Sequence, residues 1–294
     1  MSVANTITVD TIFEDALQER LDRPQSWKEM CEVTITDHGV VRSSYMSTTP
    51  ATQAVTRGTG AALQLFAETS DTLSITTGRD LGMVVDLADL AQSPWTKPAE
   101  LFKRIGSLLN EYIESQVLAQ HASWTNFGVG DLNSVGPAAD TATITVSANN
   151  IDDIIRGVRR LVRAASGQSL MNENGLGFVW RPQDFEFLEA FVQANGTVTA
   201  DDALENGVDA GLKYLDASHY LSNDNVANHV FAGVKKIQRV GILRGTYGRA
   251  HTIPFPAADS NMFFSGTAFY SRVDIGLLTP GAHTALVYDI NVSA

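Results

Sequence analysis

The sequence feature that most constrains the fold of this chain is one long amphipathic helix. Apolar residues recur at three- and four-residue steps from about Pro98 to Ala122, which places them on one face of an α-helix. Pro98 suits the first helical turn, because it has no N–H that would need an acceptor there. A helix of about 25 residues spans roughly 37 Å, which is long for the globular core of a 294-residue chain. The chain is therefore predicted to adopt an extended shape.

A second amphipathic helix is predicted over about Ile151 to Ala165. Asp152 and Asp153 lie near its positive end, where acidic groups stabilise the helix dipole, and Gly167 follows its last turn as a stop signal. Its apolar side consists of Ile151, Ile154, Ile155, Val158, Leu161 and Val162.

The stretch NGLGFVWRPQDFEFLEAF, residues 174–191, is predicted to form a strand, a turn and a third helix. Pro182 suits a first helical turn, and Asp184 complements the helix dipole. Arg181 and Asp184 have no nucleophile or histidine beside them in sequence. The turn is therefore predicted to be a structural connection between the strand and the helix, and not a catalytic loop.

Strand-rich regions lie on both sides of the helices, over residues 32 to about 92 and from about residue 210 to the end. Sheets must therefore combine strands from distant segments, which indicates the α+β class.

Residues 1–31 are predicted to be an arm that needs something else to pack on. The Thr/Ala/Gly-rich middle of residues 32–92 has little to bury, and a long hairpin-like excursion with a flexible tip suits it.

The net charge of −12 argues against a protein whose main function is to bind DNA, because most of the affinity of such proteins comes from contacts of Lys and Arg side chains with phosphates. A local exception is an arginine face on the second helix, formed by Arg156, Arg159, Arg160 and Arg163. Two interpretations remain open. The face is solvated or pairs with a neighbour's acidic groups, or it makes weak contact with nucleic acid.

A search for catalytic and binding motifs predicts no catalytic, cofactor-binding or metal-ligating residue, and no cofactor. The sequence contains no P-loop and no Gly-x-Ser-x-Gly elbow, and GTGAAL at residues 58–63 lacks the third glycine of a dinucleotide fingerprint. The carboxylate pairs Asp86/Asp89 and Asp201/Asp202 are typical of solvated turns. The single cysteine, Cys31, is predicted to be a small buried apolar residue.

The histidines are scattered along the chain and form no helical pair of ligands. A metal site would therefore require that distant residues converge in the folded chain. The six are His38, His121, His219, His229, His251 and His283.

No run of 18 or more apolar residues occurs, and the first twenty residues lack the basic start and apolar segment of a signal peptide. The chain is therefore expected to be made in the cytoplasm and to have no membrane contact.

The order of these elements resembles that of tailed-bacteriophage major capsid proteins of the Hong Kong 97 type. The resemblance begins with the arm, the extended loop and the long helix. It continues through NNIDDIIRGVRRLVRAASG (149–167) and GLGFVWRPQDFEFLEAF (175–191), which includes the family's Pro-x-Asp turn at Pro182 and Asp184. It ends with GLKYLDASHYLSND (211–224) and AFYSRVDIGLLTPGAHTALV (268–287).

The resemblance implies a structural subunit, not an enzyme, that assembles as pentamers and hexamers into an icosahedral shell around double-stranded DNA, which it contacts weakly. It implies an N-arm at 1–31, an E-loop at 32–92, a P domain at 93–145 with a long spine helix, an A domain at 146–251, and return strands of the P domain at 252–294. The protein would be made in the host cytoplasm and reside in the virion. Portal and decoration proteins would be further partners, together with a separate scaffolding protein or none.

Two other classes remain open. An encapsulin-type nanocompartment shell resembles the same fold and encloses cargo enzyme, although the Thr-rich long loop favours a virus. The other class is a soluble enzyme whose site forms by convergence of distant residues.

Some members of the resembled family cross-link their shells through an isopeptide bond between a loop lysine and an asparagine. Residues 32–96 of this chain contain no lysine, and the flanking ones are Lys28 and Lys97. An arginine cannot replace the amine, because its guanidinium is too basic. A shell held together without such a bond is therefore predicted.

Overall fold

The fold is described from a computed structural model of the chain. It covers residues 26–46, 68–86, 98–133, 140–194, 212–215, 217–245, 250–254 and 266–293. These residues combine helices with sheets, which confirms the predicted α+β class. Within these ranges, no helix has both the length and the apolar content needed to cross a bilayer.

The helices and strands are numbered in chain order. The helices are α1 (Trp27–Met30), α2 (Pro98–Leu118), α3 (Ile151–Ala164), α4 (Gln168–Asn174) and α5 (Pro182–Ala194). The strands are β1 (Glu32–Thr36), β2 (Val40–Met46), β3 (Glu68–Ser74), β4 (Thr77–Asp86), β5 (Thr125–Phe127), β6 (Leu176–Trp180), β7 (Leu212–Tyr214), β8 (Ala217–Leu221), β9 (His229–Val234), β10 (Arg239–Leu243), β11 (Ala250–Pro254), β12 (Gly266–Leu278) and β13 (Val287–Asn291).

The first sheet is built around β12, a strand of 13 residues. One side of β12 pairs with β4 over ten positions, from Gly266 opposite Asp86 to Ile275 opposite Thr77. Its other side is shared by β11 and β10, both antiparallel to it. Strand β1 adds to β10 in parallel and forms one end of the sheet.

The second sheet has the strand order β5-β13-β9-β6-β8-β7. Helix α3 packs on β9 of this sheet and on α5. All six apolar residues predicted for its inner side are buried, with exposed fractions of 1% or less. The local period of apolar residues therefore predicted both the helix and the face that it buries.

The long helix α2 is shorter than its apolar pattern predicted. It begins at Pro98, as expected, but ends at Leu118, and residues Ala119–Ser123 wind into a 3₁₀ segment. In this segment the N–H of Trp124 donates to the carbonyl of His121, three residues back, so the winding is tighter than in an α-helix. Its 21 residues span roughly 32 Å, and the helix packs along β12 and β4 of the first sheet.

Strands β2 and β3 form a separate antiparallel pair, with Val40 opposite Ser74 and Met46 opposite Glu68, and β3 contacts β10 and β12 of the first sheet. The pairing confirms a hairpin-like excursion for this part of residues 32–92. Its predicted flexible tip, residues 47–67, lies outside the described residues.

The base of this hairpin rests on a pair of glycines. Gly241 of β10 and Gly276 of β12 face each other in the first sheet. A Cβ atom at Gly241 would lie 2.5 Å from Cδ2 of Leu73, and one at Gly276 would lie 2.3 Å from the carbonyl oxygen of Ser74. The end of β3 therefore occupies the space that two side chains would fill.

The predicted arm is only partly outside the described residues. Residues 1–25 are not described, but Ser26–Cys31 pack into the core of their own chain, and Trp27, Met30 and Cys31 are buried. The last six residues of the predicted arm therefore pack on the rest of their own chain, and the packing of residues 1–25 stays a prediction. The cysteine is a free thiol, and its burial confirms its predicted role as a small apolar residue.

The sheets cross the domain limits expected from the sequence. Strand β10 lies within 146–251 but pairs with β1 and β12, whereas β13 lies within 252–294 but pairs with β9. The five ranges therefore remain a prediction. The structure adds that β10 and β13 each pair with strands from a range other than the one in which they lie.

We expect Gly276→Ala to lower the free energy of unfolding by about 3 kcal/mol or more, because the new methyl group would overlap a backbone oxygen that no rotamer change can move. Urea denaturation would measure the loss. Gly106→Ala is a matched control: no atom lies within 4 Å of its added Cβ, and alanine favours a helix by up to about 1 kcal/mol over glycine. Equal effects of the two substitutions would contradict the glycine-pair interpretation.

Candidate functional site

Three of the five large apolar side chains that are exposed in the described residues lie on β1 and at the start of β2. Val33 and Ile35 are 36% and 45% exposed, and Val40 is 56% exposed. Strand β1 pairs with β10 on one side, and no strand of the described residues pairs with its other side. An open strand edge with apolar side chains is a template for pairing with another chain.

The Arg181–Asp184 turn leads from β6 into α5, which begins at Pro182 as predicted. The guanidinium of Arg181 contacts the Asp184 carboxylate through two donors, at 2.6 Å and 3.1 Å. It also donates to the carbonyl of Ser293, at 2.9 Å. Asp184 is 2% exposed, so the pair joins the start of α5 to the end of the chain.

The predicted arginine face lines one cavity of about 300 Å³, together with Leu215. Arg156 forms an ion pair with Asp152 at 3.0 Å. Arg159 donates to the carbonyl of Leu215. The remaining contacts are from Arg160 to the carbonyls of Asp131 and Leu132 and from Arg163 to the side chain of Gln168. Arg159, Arg160 and Arg163 thus hydrogen-bond to neighbouring loops and to the next helix. These partners carry no charge, so the cavity between the arginines is positively charged.

A buried carboxylate fixes the N-terminal segment on the long helix. Glu114 of α2 is 1% exposed and accepts hydrogen bonds from the N–H of Ser26 at 2.7 Å, from the Ser26 hydroxyl at 2.9 Å and from the N–H of Trp27 at 3.2 Å. Burial raises the pKa of Glu114, and hydrogen bonds from Ser222, Ser26 and Trp27 lower it by less. The acid therefore caps α1 at a cost in desolvation.

The raised pKa of Glu114 gives an expected pH dependence of stability. The folded chain keeps the proton on Glu114 at pH values where the unfolded chain has lost it. The contribution of Glu114 to the free energy of unfolding is therefore fully present below the ordinary carboxyl pKa. It is lost as the pH rises through the raised pKa of the folded chain. Glu114→Gln retains an oxygen acceptor and cannot ionise. We expect it to flatten the plot of unfolding free energy against pH in that window, measured by denaturant titration. Exposed Glu173→Gln is the control, and an unchanged slope in Glu114→Gln would contradict the assignment.

A cluster of titratable side chains that the sequence did not predict lies beside β13. His121 follows the long helix, His229 begins β9, and Asp289 lies in the middle of β13. The carboxylate of Asp289 lies 2.8 Å and 3.0 Å from Nδ1 of His229 and 3.4 Å from Nδ1 of His121. The two imidazole rings stack with their centroids 3.9 Å apart. No local pattern signals this cluster, because its members come from three separate parts of the chain.

The other candidates singled out in the sequence do not join this cluster. His219 is fully buried and accepts a hydrogen bond from the indole N–H of Trp180 at 3.0 Å. Asp89 and the pair Asp201/Asp202 lie outside the described residues, and Asp86 is described only through its backbone pairing in β4.

Comparisons with known proteins bear on the fold. No family model matches the chain, and no curated protein matches it. Among solved structures, a chain from Gordonia phage Cozz is 15% identical, with a TM-score of 0.61 over 92% of this chain and 88% of that one. A chain from the capsid of cyanophage P-SCSP1u is 13% identical, with a TM-score of 0.58 over 96% and 92%. The chain has a phage capsid fold.

The capsid fold is not limited to particles described as phages. A chain from a virus-like particle of Pyrococcus furiosus is 12% identical, with a TM-score of 0.50 over 90% of each chain. At such low identity the similarity shows the fold alone. The matched structures cover most of the chain, and its mixture of helices and sheets fits a capsid-like α+β fold.

Proposed function

We propose that this chain is the major capsid protein of a tailed bacteriophage, with a fold of the Hong Kong 97 type. It assembles as pentamers and hexamers into an icosahedral shell that encloses double-stranded DNA. The observation that carries the proposal is the open apolar edge of β1 on a chain with a phage capsid fold. Such an edge needs cover, and a neighbouring copy in a shell provides it.

The proposed parts of the subunit follow the ranges expected from the sequence. These are an N-arm at 1–31, an E-loop at 32–92, a P domain at 93–145 and 252–294, and an A domain at 146–251. Helix α2 is the spine helix of the P domain. The strand pairing supports one refinement, in which β10 belongs with the P-domain sheet and β13 with the A-domain sheet.

The proposed role is structural and not catalytic. Portal and decoration proteins are proposed partners, with or without a separate scaffolding protein. Contact with the packaged DNA is weak, because the chain carries a net charge of −12 and the arginines of its arginine face bond to backbone and side-chain groups of the same chain. The protein is made in the host cytoplasm and becomes part of the virion.

A second candidate is an encapsulin-type shell that encloses cargo enzyme. The fold is shared with a virus-like particle of Pyrococcus furiosus, which is not described as a phage, so it is compatible with both kinds of shell. Negative-stain microscopy of the expressed chain tests both, because closed uniform shells are expected in either case. A chain that stays monomeric under all assembly conditions would contradict both. Nuclease-protected DNA in native particles would identify the capsid, and a co-purifying enzyme without DNA would identify the nanocompartment.

Mature particles boiled in denaturing detergent should release a single band near 31.7 kDa. The reason is that residues 32–96 contain no lysine amine to form an isopeptide bond with a neighbour. Electrophoresis without a reducing agent is the control for disulfide links through Cys31, which is buried. A ladder of covalent multimers that survives boiling would contradict this prediction.

A further inference from the structure

The cluster formed by His121, His229 and Asp289 has the chemistry of a site for a transition-metal ion. Its three ligand atoms, one from each side chain, lie within 4.8 Å of one another. Two imidazole nitrogens and one carboxylate oxygen form a donor set that suits Zn²⁺. We propose that this cluster binds one Zn²⁺ ion that joins the end of the long helix to the second sheet.

The distances within the cluster agree with this ligand set. At the usual Zn–N and Zn–O lengths of about 2.0–2.2 Å, neighbouring ligand atoms of a tetrahedral ion are roughly 3.3–3.5 Å apart. Nδ1 of His121 lies 3.4 Å from the Asp289 oxygen. Nδ1 of His229 lies closer to the same oxygen, at 2.8 Å, which is a hydrogen-bond distance between an N–H and a carboxylate oxygen. Binding of the ion replaces that proton, and the two atoms separate by roughly half an ångström.

The surroundings of Asp289 also favour a cation. The residue is 1% exposed, and its carboxylate faces ring nitrogens of both histidines. A buried carboxylate is costly unless it is paired or coordinates a metal ion. The edge-to-face pair of Trp124 and Phe231, with ring centroids 4.6 Å apart, contributes an apolar wall, since Phe231 is the register partner of Asp289.

The cluster is accessible from one side. The side chains of His121 and His229 are 24% and 26% exposed, whereas that of Asp289 is 2% exposed. The two imidazoles therefore lie between the buried carboxylate and solvent, and an ion can enter past them. Three protein ligands leave a fourth tetrahedral position, which a water molecule fills from the solvent side.

The position of the cluster gives the ion a structural role. His121 belongs to the 3₁₀ segment directly after α2, which packs along the first sheet, whereas His229 and Asp289 belong to neighbouring strands of the second sheet. One ion would hold these two parts of the chain together. Because the cluster exists only in the folded chain, Zn²⁺ stabilises it by mass action. This inference does not depend on the proposed shell function.

Zn²⁺ titration of the metal-stripped full-length chain tests the proposal, with the stoichiometry and affinity measured by calorimetry. The test variants are His121→Gln, His229→Gln and Asp289→Asn, which retain size and polarity while removing one ligand each. His283→Gln is the matched control, because this histidine also lies in a 3₁₀ segment and belongs to no cluster of possible ligands in the described residues. Co²⁺ is a second probe, since its visible absorption reports tetrahedral coordination.

We expect one Zn²⁺ per chain and a rise in melting temperature that a chelator reverses. Each test variant should weaken binding at least about tenfold, since even the loss of a group that only supports a metal ligand costs about that much. The control should bind as the unaltered chain does. Circular dichroism separates the loss of a ligand from the loss of the fold. Without metal, at least one of the variants His121→Gln and His229→Gln is expected to melt at the temperature of the unaltered chain, because both side chains are partly exposed. An absence of saturable binding, or binding that the three substitutions leave unchanged, would overturn the proposal.

Discussion

Deletion of residues 47–63 should leave the chain folded but unable to form closed shells. The segment contributes few large apolar side chains, and the part of the hairpin that packs on the core, near Leu73, lies outside the deletion. The helices and both sheets should therefore form as before. The expected loss of assembly follows from the proposal that the E-loop contacts a neighbouring subunit.

Electron microscopy would count the shells, and a thermal melt followed by circular dichroism would show that the fold persists. A control variant that replaces 47–63 with a Gly/Ser segment of equal length separates the loss of contacts from a change in hairpin length. Assembly should fail in both variants. Shells of normal number and size from the deletion would refute an assembly role for this segment.

The double substitution Val33→Lys and Ile35→Lys is expected to abolish assembly with little change in monomer stability. Both side chains are more than one-third exposed in the single chain, so the lysines replace apolar groups that face solvent there. In a shell, the same positions would bring two charges into a buried contact, where an unpaired charge is strongly unfavourable. Lysine is also a residue that natural proteins use to block strand edges.

Val129→Lys is the matched control for the edge variant. This valine is 48% exposed but lies in a 3₁₀ segment, Val129–Asp131, and not on a strand edge. Light scattering and microscopy would compare the three chains under one assembly condition. Assembly of the edge variant at the rate of the unaltered chain would show that β1 is not a contact surface.

Local patterns in the sequence predicted the helices well. The inner face of α3 follows from apolar residues three and four positions apart, and Pro182 and Asp184 mark the start of α5 because their effects act within one turn. The end of α2 was wrong by several residues, since the apolar pattern continues while the winding changes to 3₁₀ after Leu118. Periodicity does not distinguish the two kinds of helical turn over so few residues.

Contacts between distant segments were the features that the sequence did not reveal. Pairing of β1 with β10, burial of Trp27 against the core and the histidine–aspartate cluster each join residues with no local signal for one another. The order of elements nevertheless sufficed to suggest a capsid fold, which the structural matches confirm. Element order is a property of the whole chain, so it carries information that no single short motif holds.

The glycine pair under the hairpin fixes where the end of β3 lies on the first sheet, because Leu73 and Ser74 pack on its bare backbone. Strands β2 and β3 are each seven residues long, which corresponds to a lever of roughly 23 Å. A change of about 10° in the direction of the strand pair at its contact with Gly241 and Gly276 would move its far end by roughly 4 Å, which is close to the spacing of adjacent strands. In a shell built as proposed, the point at which the hairpin reaches a neighbour would thus depend on a contact inside the subunit, between β3 and two glycines, as well as on the surfaces where subunits meet.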